Sequence, residues 1–271
     1  MLKLILLFAL KVTTPGEMAC LGYTMDFITP MDLYIAGVEQ EGTTVFATQG
    51  DIVYLNGPRV PALKIGEIGR IVRPEGKVRD PQSGAELAIY YRQLGTVKIE
   101  EVGKGFATAR VLLSCYGMIK GDIVMPDTPK PAIEFDGDLS DEKTPVPEQG
   151  LVSSILLGKN DSREIAAGQF CFIGVGSRDG VKPGDRFTVF RTRPRYNTDE
   201  KIIEDKPSNA SYPSVRGWAY QQRQDTVLFN RTLPPQVLGD IVVVDAGDKV
   251  SAAKVINSIS EIHLGDFVVR R

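Results

Sequence analysis

The sequence predicts an all-β protein built as two tandem small β-barrel units related by an internal repeat. Three observations predict it. Anchor segments recur twice in the same order, β-branched and aromatic runs have strand length, and 27 glycines and 17 prolines punctuate the 271 residues. That much glycine and proline implies many turns and few long helices.

The repeat carries most of the weight. Phe106-Ala107-Thr108-Ala109-Arg110-Val111-Leu112-Leu113-Ser114 aligns with Val250-Ser251-Ala252-Ala253-Lys254-Val255-Ile256-Asn257-Ser258. Without a gap, the same alignment places Gly121-Asp122-Ile123-Val124 on Gly265-Asp266-Phe267-Val268, and Leu94-Gly95-Thr96-Val97 on Leu238-Gly239-Asp240-Ile241. At a second offset, Gly50-Asp51-Ile52-Val53-Tyr54-Leu55 matches Gly168-Gln169-Phe170-Cys171-Phe172-Ile173, and Leu63-Lys64-Ile65-Gly66-Glu67 matches Val181-Lys182-Pro183-Gly184-Asp185. The organisation expected is an N-terminal segment or leader over 1–33, a first barrel unit over 34–126, an acidic Pro-rich linker over 127–149, and a second unit over 150–271 with an insertion at 193–235.

Individual elements follow from local chemistry. Ile52 to Leu55, Phe187 to Phe190 and Ile241 to Val244 are strand-length runs bounded by Gly, Asp or Pro. Lys182-Pro183-Gly184-Asp185 is a turn: Pro183 presets φ at its first central position and Gly184 accepts positive φ at its second. The Gly-Asp pairs at 121–122 and 265–266 punctuate the last strand of each unit. Short strands separated by such turns suit small closed barrels.

The two copies diverge at one strand. Val97, Lys98, Ile99 and Glu100 alternate, as a strand with one wet face does, whereas the matched Ile241, Val242, Val243 and Val244 are apolar on both faces. The outer face of the second unit is therefore expected to be covered by the first unit, by the insertion or by another subunit. Burial of the two extra valines is worth roughly 3–5 kcal/mol.

Composition excludes several functions. Lys plus Arg is 32 and Asp plus Glu is 34, a net charge of -2, which argues against a general nucleic-acid binder. The single histidine, His263, removes most histidine-based zinc sites and argues against a Ser-His-Asp or Cys-His machine. Cys20, Cys115 and Cys171 fit no metal knuckle. Cys115 and Cys171 lie in apolar runs and read as buried small hydrophobes. A Cys115–Cys171 disulfide is the alternative, and it requires an oxidising compartment. The apolar run Leu4 to Leu10 between Lys3 and Lys11 is at the short limit for an export leader, and Ala19-Cys20 imitates a lipoprotein cleavage site apart from Glu17. The other reading is an N-terminal strand or a tail docked on the fold. No stretch reaches the roughly 20 apolar residues of a membrane span.

Val181-Lys182-Pro183-Gly184-Asp185-Arg186-Phe187-Thr188-Val189-Phe190-Arg191, with Leu238-Gly239-Asp240, Ala252-Ala253-Lys254-Val255 and Glu261-Ile262-His263-Leu264-Gly265-Asp266, resembles a module of bacterial envelope proteins. It is similar to the C-terminal region of some exported LysM proteins and to the small β-domain that ends flagellar assembly protein T. The resemblance covers most of 150–271 and, more weakly, 34–126. It implies a non-enzymatic module in the periplasm or on the cell surface, and it supplies no catalytic residue. The chain has no LysM domain, so peptidoglycan binding does not carry over.

Other motifs favour structural readings. Gly174-Val175-Gly176-Ser177-Arg178-Asp179-Gly180 is followed by a turn into another strand, whereas a dinucleotide fingerprint opens a helix. Asp136-Gly137-Asp138-Leu139-Ser140-Asp141-Glu142 lacks calcium-hand spacing and reads as a solvated linker. Glu261 and His263 share a strand face and read as an exposed edge pair rather than an acid–base pair. Sequons at Asn160, Asn209 and Asn230 read as incidental.

The function expected is a non-enzymatic structural or interaction protein of the bacterial cell envelope that contacts a protein partner or self-associates through its second unit. No cofactor, metal, nucleic acid or membrane span is expected. The candidate partner-binding residues are Tyr196, Tyr212, Arg216, Trp218 and Tyr220 of the insertion, whose aromatic and Arg content matches binding hot spots, together with Val242 and Val244. The alternative is a glycan- or cell-wall-binding module that uses the same aromatic insertion.

Overall fold

In a computed structural model, residues 10–39, 46–135, 146–147, 149–192 and 234–271 are described. Among the described residues, the regular structure is almost entirely strand. The strands are β1 (Leu10–Lys11), β2 (Tyr23–Met25), β3 (Tyr34–Val38), β4 (Ile52–Asn56), β5 (Ile68–Arg79), β6 (Glu86–Val102), β7 (Ala107–Ser114), β8 (Ile123–Pro126) and β9 (Glu134–Phe135). They continue with β10 (Val152–Gly158), β11 (Glu164–Ile165), β12 (Phe170–Ile173), β13 (Arg186–Arg191), β14 (Gln236–Ala246), β15 (Ser251–Ser258), β16 (Ile262–His263) and β17 (Phe267–Arg270). Among the described residues, one short α-helix, α1 (Pro15–Ala19), precedes β2.

Twelve of these strands form two closed six-stranded rings, and β1–β9 and β11–β16 pair as small two-stranded sheets. The first runs β3-β4-β7-β6-β5-β8 and returns to β3 through the Tyr34–Ile123 pairing, with β2 added on the distal half of β6. The second runs β10-β12-β15-β14-β13-β17 and closes on β10. Taken in chain order, the two rings have the same strand order, so the sequence repeat is a repeat of topology. Closure leaves no free sheet edge in either ring.

The equivalence extends to single atoms. Gly66 and Gly184 take φ +87 and +95, the left-handed conformation expected at Gly184. The Gly66 amide donates to the Ile99 carbonyl at 2.8 Å, and the Gly184 amide donates to the matched Val243 carbonyl at 2.8 Å. A Cβ at Gly95 would lie 2.0 Å from the Leu113 carbonyl oxygen, and one at Gly239 would lie 2.1 Å from the matched Asn257 oxygen. Only glycine allows this approach of two strands.

Each barrel is also closed by the same ionic clasp. Arg73 grips Asp122 through Nε at 2.7 Å and an Nη at 2.8 Å, and Asp122 also accepts the Ile119 amide at 2.7 Å. Arg191 grips Asp266 at 2.6 and 2.8 Å, and Asp266 accepts the His263 amide at 2.7 Å. Both carboxylates are buried. The clasp joins the hairpin strand to the turn that opens the last strand, and its fork geometry is bidentate.

The barrel interiors are apolar and separate. Ile35, Val53, Leu55, Ile71, Leu94 and Ile99 lead the first, and Ile155, Cys171, Phe187, Val189, Ile241 and Val243 lead the second. Residues 127–135, read from composition as linker, are instead held down. Lys130 pairs with Asp245 at 2.5 Å, the Ile133 amide donates to Thr13 Oγ1 at 2.9 Å, and β9 pairs with β1. The apolar Ile133 outweighs the Pro-rich, acidic composition around it. The acidic run 136–142 lies outside the described residues.

Two outcomes are expected. Arg73→Ala and Arg191→Ala each leave a buried carboxylate without its cation and destabilise by roughly 2–4 kcal/mol in urea unfolding. Gly239→Ala forces β14 and β15 apart and lowers the melting temperature by more than alanine placed at the open turn glycine Gly168.

Candidate interaction site at the seam between the barrels

The outer face of β14 is covered, as its doubly apolar pattern requires. Val242 and Val244 are 0% and 2% exposed, whereas the matched Lys98 and Glu100 on β6 are exposed. Of the three covers considered for this face, the first unit is the one found, joined by the N-terminal segment. One apolar cluster unites Val12, Met18 and Leu21 of that segment, Val78, Ala88 and Tyr90 of the β5–β6 ribbon, and Leu156, Phe170, Phe172, Val242, Val244 and Ala252 of the second barrel. The rings of Tyr90 and Phe172 meet edge-on, with centroids 5.1 Å apart.

The ribbon can reach because β5 and β6 are 12 and 17 residues long, far longer than their barrel needs. Their distal halves project past the first ring and lie on the second. The corresponding β13–β14 connection of the second unit is the insertion. The same loop is thus extended in both copies, in the first as a ribbon laid on its neighbour.

The N-terminal segment acts as a strap along this seam. Thr14 and Glu17 form a capping box that starts α1: the Glu17 amide donates to Thr14 Oγ1 at 3.2 Å, and the Thr14 amide donates to Glu17 Oε2 at 2.8 Å. Lys254 of the second barrel donates to the Val12 carbonyl at 2.8 Å and pairs with Glu17 at 2.7 Å. Burial works to raise the Glu17 pKa, but the hydrogen bonds from Lys254 and the Thr14 backbone outweigh it and hold the carboxyl below its ordinary 4.5. Further on, Tyr23 stacks on Tyr91 with centroids 5.6 Å apart, and Arg70 lies 4.4 Å over the Tyr23 ring. Burial pushes the Tyr23 phenol up to about 12, against the opposing pull of Arg70.

A disulfide fixes the strap. Cys20, which follows α1, is bonded to Cys115 after β7, with Cα atoms 5.7 Å apart. This corrects both cysteine readings made for Cys115. It is neither a free buried thiol nor the partner of Cys171, because Cys115 lies at the end of a first-barrel strand and Cys171 in the core of the second barrel. Cys171 is free and fully buried, as a small hydrophobe, and desolvation pushes its thiol up to about 12. The Cys20 thiol of the lipoprotein-like Ala19-Cys20 pair is engaged in this bond. Residues 1–9, which hold most of the leader-like run, lie outside the described residues.

Charged contacts line the rim of the seam. Lys249 lies 3.3 Å and Arg178 3.6 Å from Asp26, and Arg178 also pairs with Asp248. Such half-exposed pairs are each worth about 0–1 kcal/mol, so the apolar cluster dominates. Tyr116 of the first barrel donates to Asn160 Oδ1 of the second.

The other sequence candidates fall elsewhere. Tyr196, Tyr212, Arg216, Trp218 and Tyr220 lie outside the described residues. Val242 and Val244 are taken up by contacts inside the chain, so they do not face a separate molecule. Gly174 to Gly180 forms a single 3-10 turn at Ser177–Asp179 before the turn into β13. His263 Nε2 is 3.9 Å from Glu261, and its Nδ1 lies 2.7 Å from an Arg191 Nη. Among the described residues, no group of three or more His, Cys, Asp or Glu side chains is placed to hold a metal ion, and no helix is long and apolar enough to cross a membrane. The reading of the N-terminal region as a tail docked on the fold matches residues 12–21, but the helix inside that tail was not foreseen. Its available signal was Thr14-Pro15-Gly16-Glu17, a capping box with Pro at the first helical position.

No protein-family model matches the chain, and a search of curated proteins finds no match.

Three measurements check the seam. Val242→Lys with Val244→Glu, which imports the first barrel's residues, should leave both rings folded but free the ribbon, raising the radius of gyration and exposing residues 79–86 to protease. Reduction of Cys20–Cys115 opens a loop of 95 residues and should cost about 3–5 kcal/mol, read as a fall in melting temperature of about 10 °C. Glu17 has a folded pKa below its unfolded value, so its contribution is present above about pH 4.5 and is lost as pH falls through the folded pKa. Carboxyl-resolved NMR titration should place that midpoint below 4.5, and Lys254→Met should raise it.

Proposed function

We propose that the chain is a non-enzymatic structural or interaction protein of the bacterial cell envelope, which binds a protein partner or a second copy of itself. The observation that carries the reading is the seam. The two barrels share one apolar cluster, and a disulfide pins the N-terminal strap beside it to the first barrel, which makes a double-barrel body suited to presenting loops. A disulfide persists in oxidising compartments, which supports an exported location. The resemblance of Val181 to Arg191 and of Glu261 to Asp266 to modules of exported LysM proteins and of flagellar assembly protein T supports the same location.

Because Val242 and Val244 are used internally, the partner surface must lie elsewhere on the body. The aromatic insertion, with Tyr196, Tyr212, Arg216, Trp218 and Tyr220, keeps the composition of a hot spot. Exposed apolar side chains at Phe27, Ile28 and Met31 add to the surface open to a partner.

Light scattering across a dilution series, with cross-linking in envelope extracts, tests the reading. The expected result is a second copy or a defined protein partner on the wild-type chain, lost in Trp218→Ala/Tyr220→Ala at an unchanged melting temperature. A monomer that captures nothing, with the double variant indistinguishable from it, contradicts the reading. So does a Trp218 fluorescence change on titration with cell-wall fragments alone.

A further inference from the structure

Beside the seam, the β10–β12 connection of the second barrel borders a half-open pocket of about 190 Å³ lined by Lys159, Asn160, Ser162, Gln169 and Phe170. From the chemistry of this lining we infer that the pocket is a binding site for a single oxyanion group, the carboxylate or phosphate of a small ligand or of a partner's side chain.

The inference rests on which atoms remain available. Gln169 Oε1 accepts the Ala166 amide at 2.9 Å, and Asn160 Oδ1 accepts the Tyr116 hydroxyl. With both carbonyl oxygens engaged, the two side-chain amides offer N–H donors. The Ser162 hydroxyl donates to the Glu164 carbonyl at 2.5 Å, which leaves its oxygen a minor acceptor. The remaining polar group is the Lys159 ammonium. The lining is therefore dominated by donors and carries positive charge.

Among the described side chains, no carboxylate lies within ion-pair distance of Lys159 Nζ. The nearby Glu17 is already held by Lys254 at 2.7 Å. Lys159 Nζ instead sits 5.4 Å from the centroid of the Phe170 ring, and Lys254 Nζ sits 5.3 Å from the same centroid. Two cations thus share one aromatic ring, and only Lys254 holds the carboxylate. Burial lowers the Lys159 pKa, with only a partial opposing pull from Glu17, which marks an ammonium that gains from an incoming anion.

Shape limits the ligand. Pockets for whole small molecules run to roughly 300–1,000 Å³, so this one takes a single charged group. Asn160 stands at φ 62, the only non-glycine residue with positive φ among the described residues, and this conformation turns the loop so that Asn160 reaches Tyr116 across the seam. Neither the repeat nor the apolar seam requires this arrangement: the first barrel's matching connection between β3 and β4 carries no Lys-Asn pair.

Thermal melting of the full chain tests the site, with sodium phosphate and sodium acetate each compared with sodium chloride at equal ionic strength. The expected result is a rise of roughly 3 °C at ten times the dissociation constant, reduced in Lys159→Arg and absent in Lys159→Gln. A response to both anions marks a general oxyanion site. A response to phosphate alone marks a phosphoryl ligand, and one to acetate alone a carboxylate. Calorimetric titration of phosphate and of acetate into the wild type and Lys159→Gln gives a second readout, independent of stability. No rise beyond the chloride control in the wild type, or an equal rise in Lys159→Gln, overturns the inference.

Discussion

The structure depends on one constraint: the outer face of β14 cannot meet water. A strand with valines on both faces must be covered, and the cover recruits the rest of the molecule. The β5–β6 ribbon lengthens to reach it, the N-terminal strap fills the gap beside it, and the disulfide pins that strap to the first barrel. Apolar burial supplies the energy, at roughly 1.5–3 kcal/mol for each large side chain removed from water. The rim ion pairs set register more than strength. Remove the apolar face and each later feature loses its reason.

The repeat explains what is shared, and the seam explains what is not. Both barrels keep a glycine where two strands touch, a left-handed glycine in the turn that leads into β5 or β13, and an arginine fork on a buried aspartate. These positions answer to barrel closure, which is the same problem in each copy. The interior positions stay apolar in both copies, and the change in character is on the outside. Lys98 and Glu100 became Val242 and Val244, and Ile52 and Tyr54 correspond to Phe170 and Phe172. A ring is closed from within, so its outer face is free to change from solvated to docked without altering topology.

Much of this was legible in the residues. The repeat gave the two barrels because equal ring order needs equal strand and turn spacing, and Gly184 revealed its turn because few other residues tolerate that backbone. The doubly apolar strand announced a cover but not its identity, since periodicity records burial and not the burying group. The Cys20–Cys115 bond was hidden for the same reason. The two residues are brought together by β2 pairing with the far half of β6, a long-range contact with no local spacing rule. The docking of 127–135 was obscured by its Pro-rich composition, which describes a backbone without regular structure and says nothing of whether it is held. The oxyanion pocket was invisible in sequence because its donors are defined by which amide oxygens are already engaged.

The central claim is that the barrels of a single chain meet through this apolar seam in solution. The most direct measurement is a nuclear Overhauser experiment on chain labelled at valine methyls and aromatic rings, diluted with unlabelled chain so that only intramolecular contacts register. The account predicts cross-peaks between the rings of Tyr90 and Phe172, whose centroids lie 5.1 Å apart, and Val242 and Val244 methyls shielded from water. Missing ring cross-peaks, together with those methyls in contact with water, would contradict it.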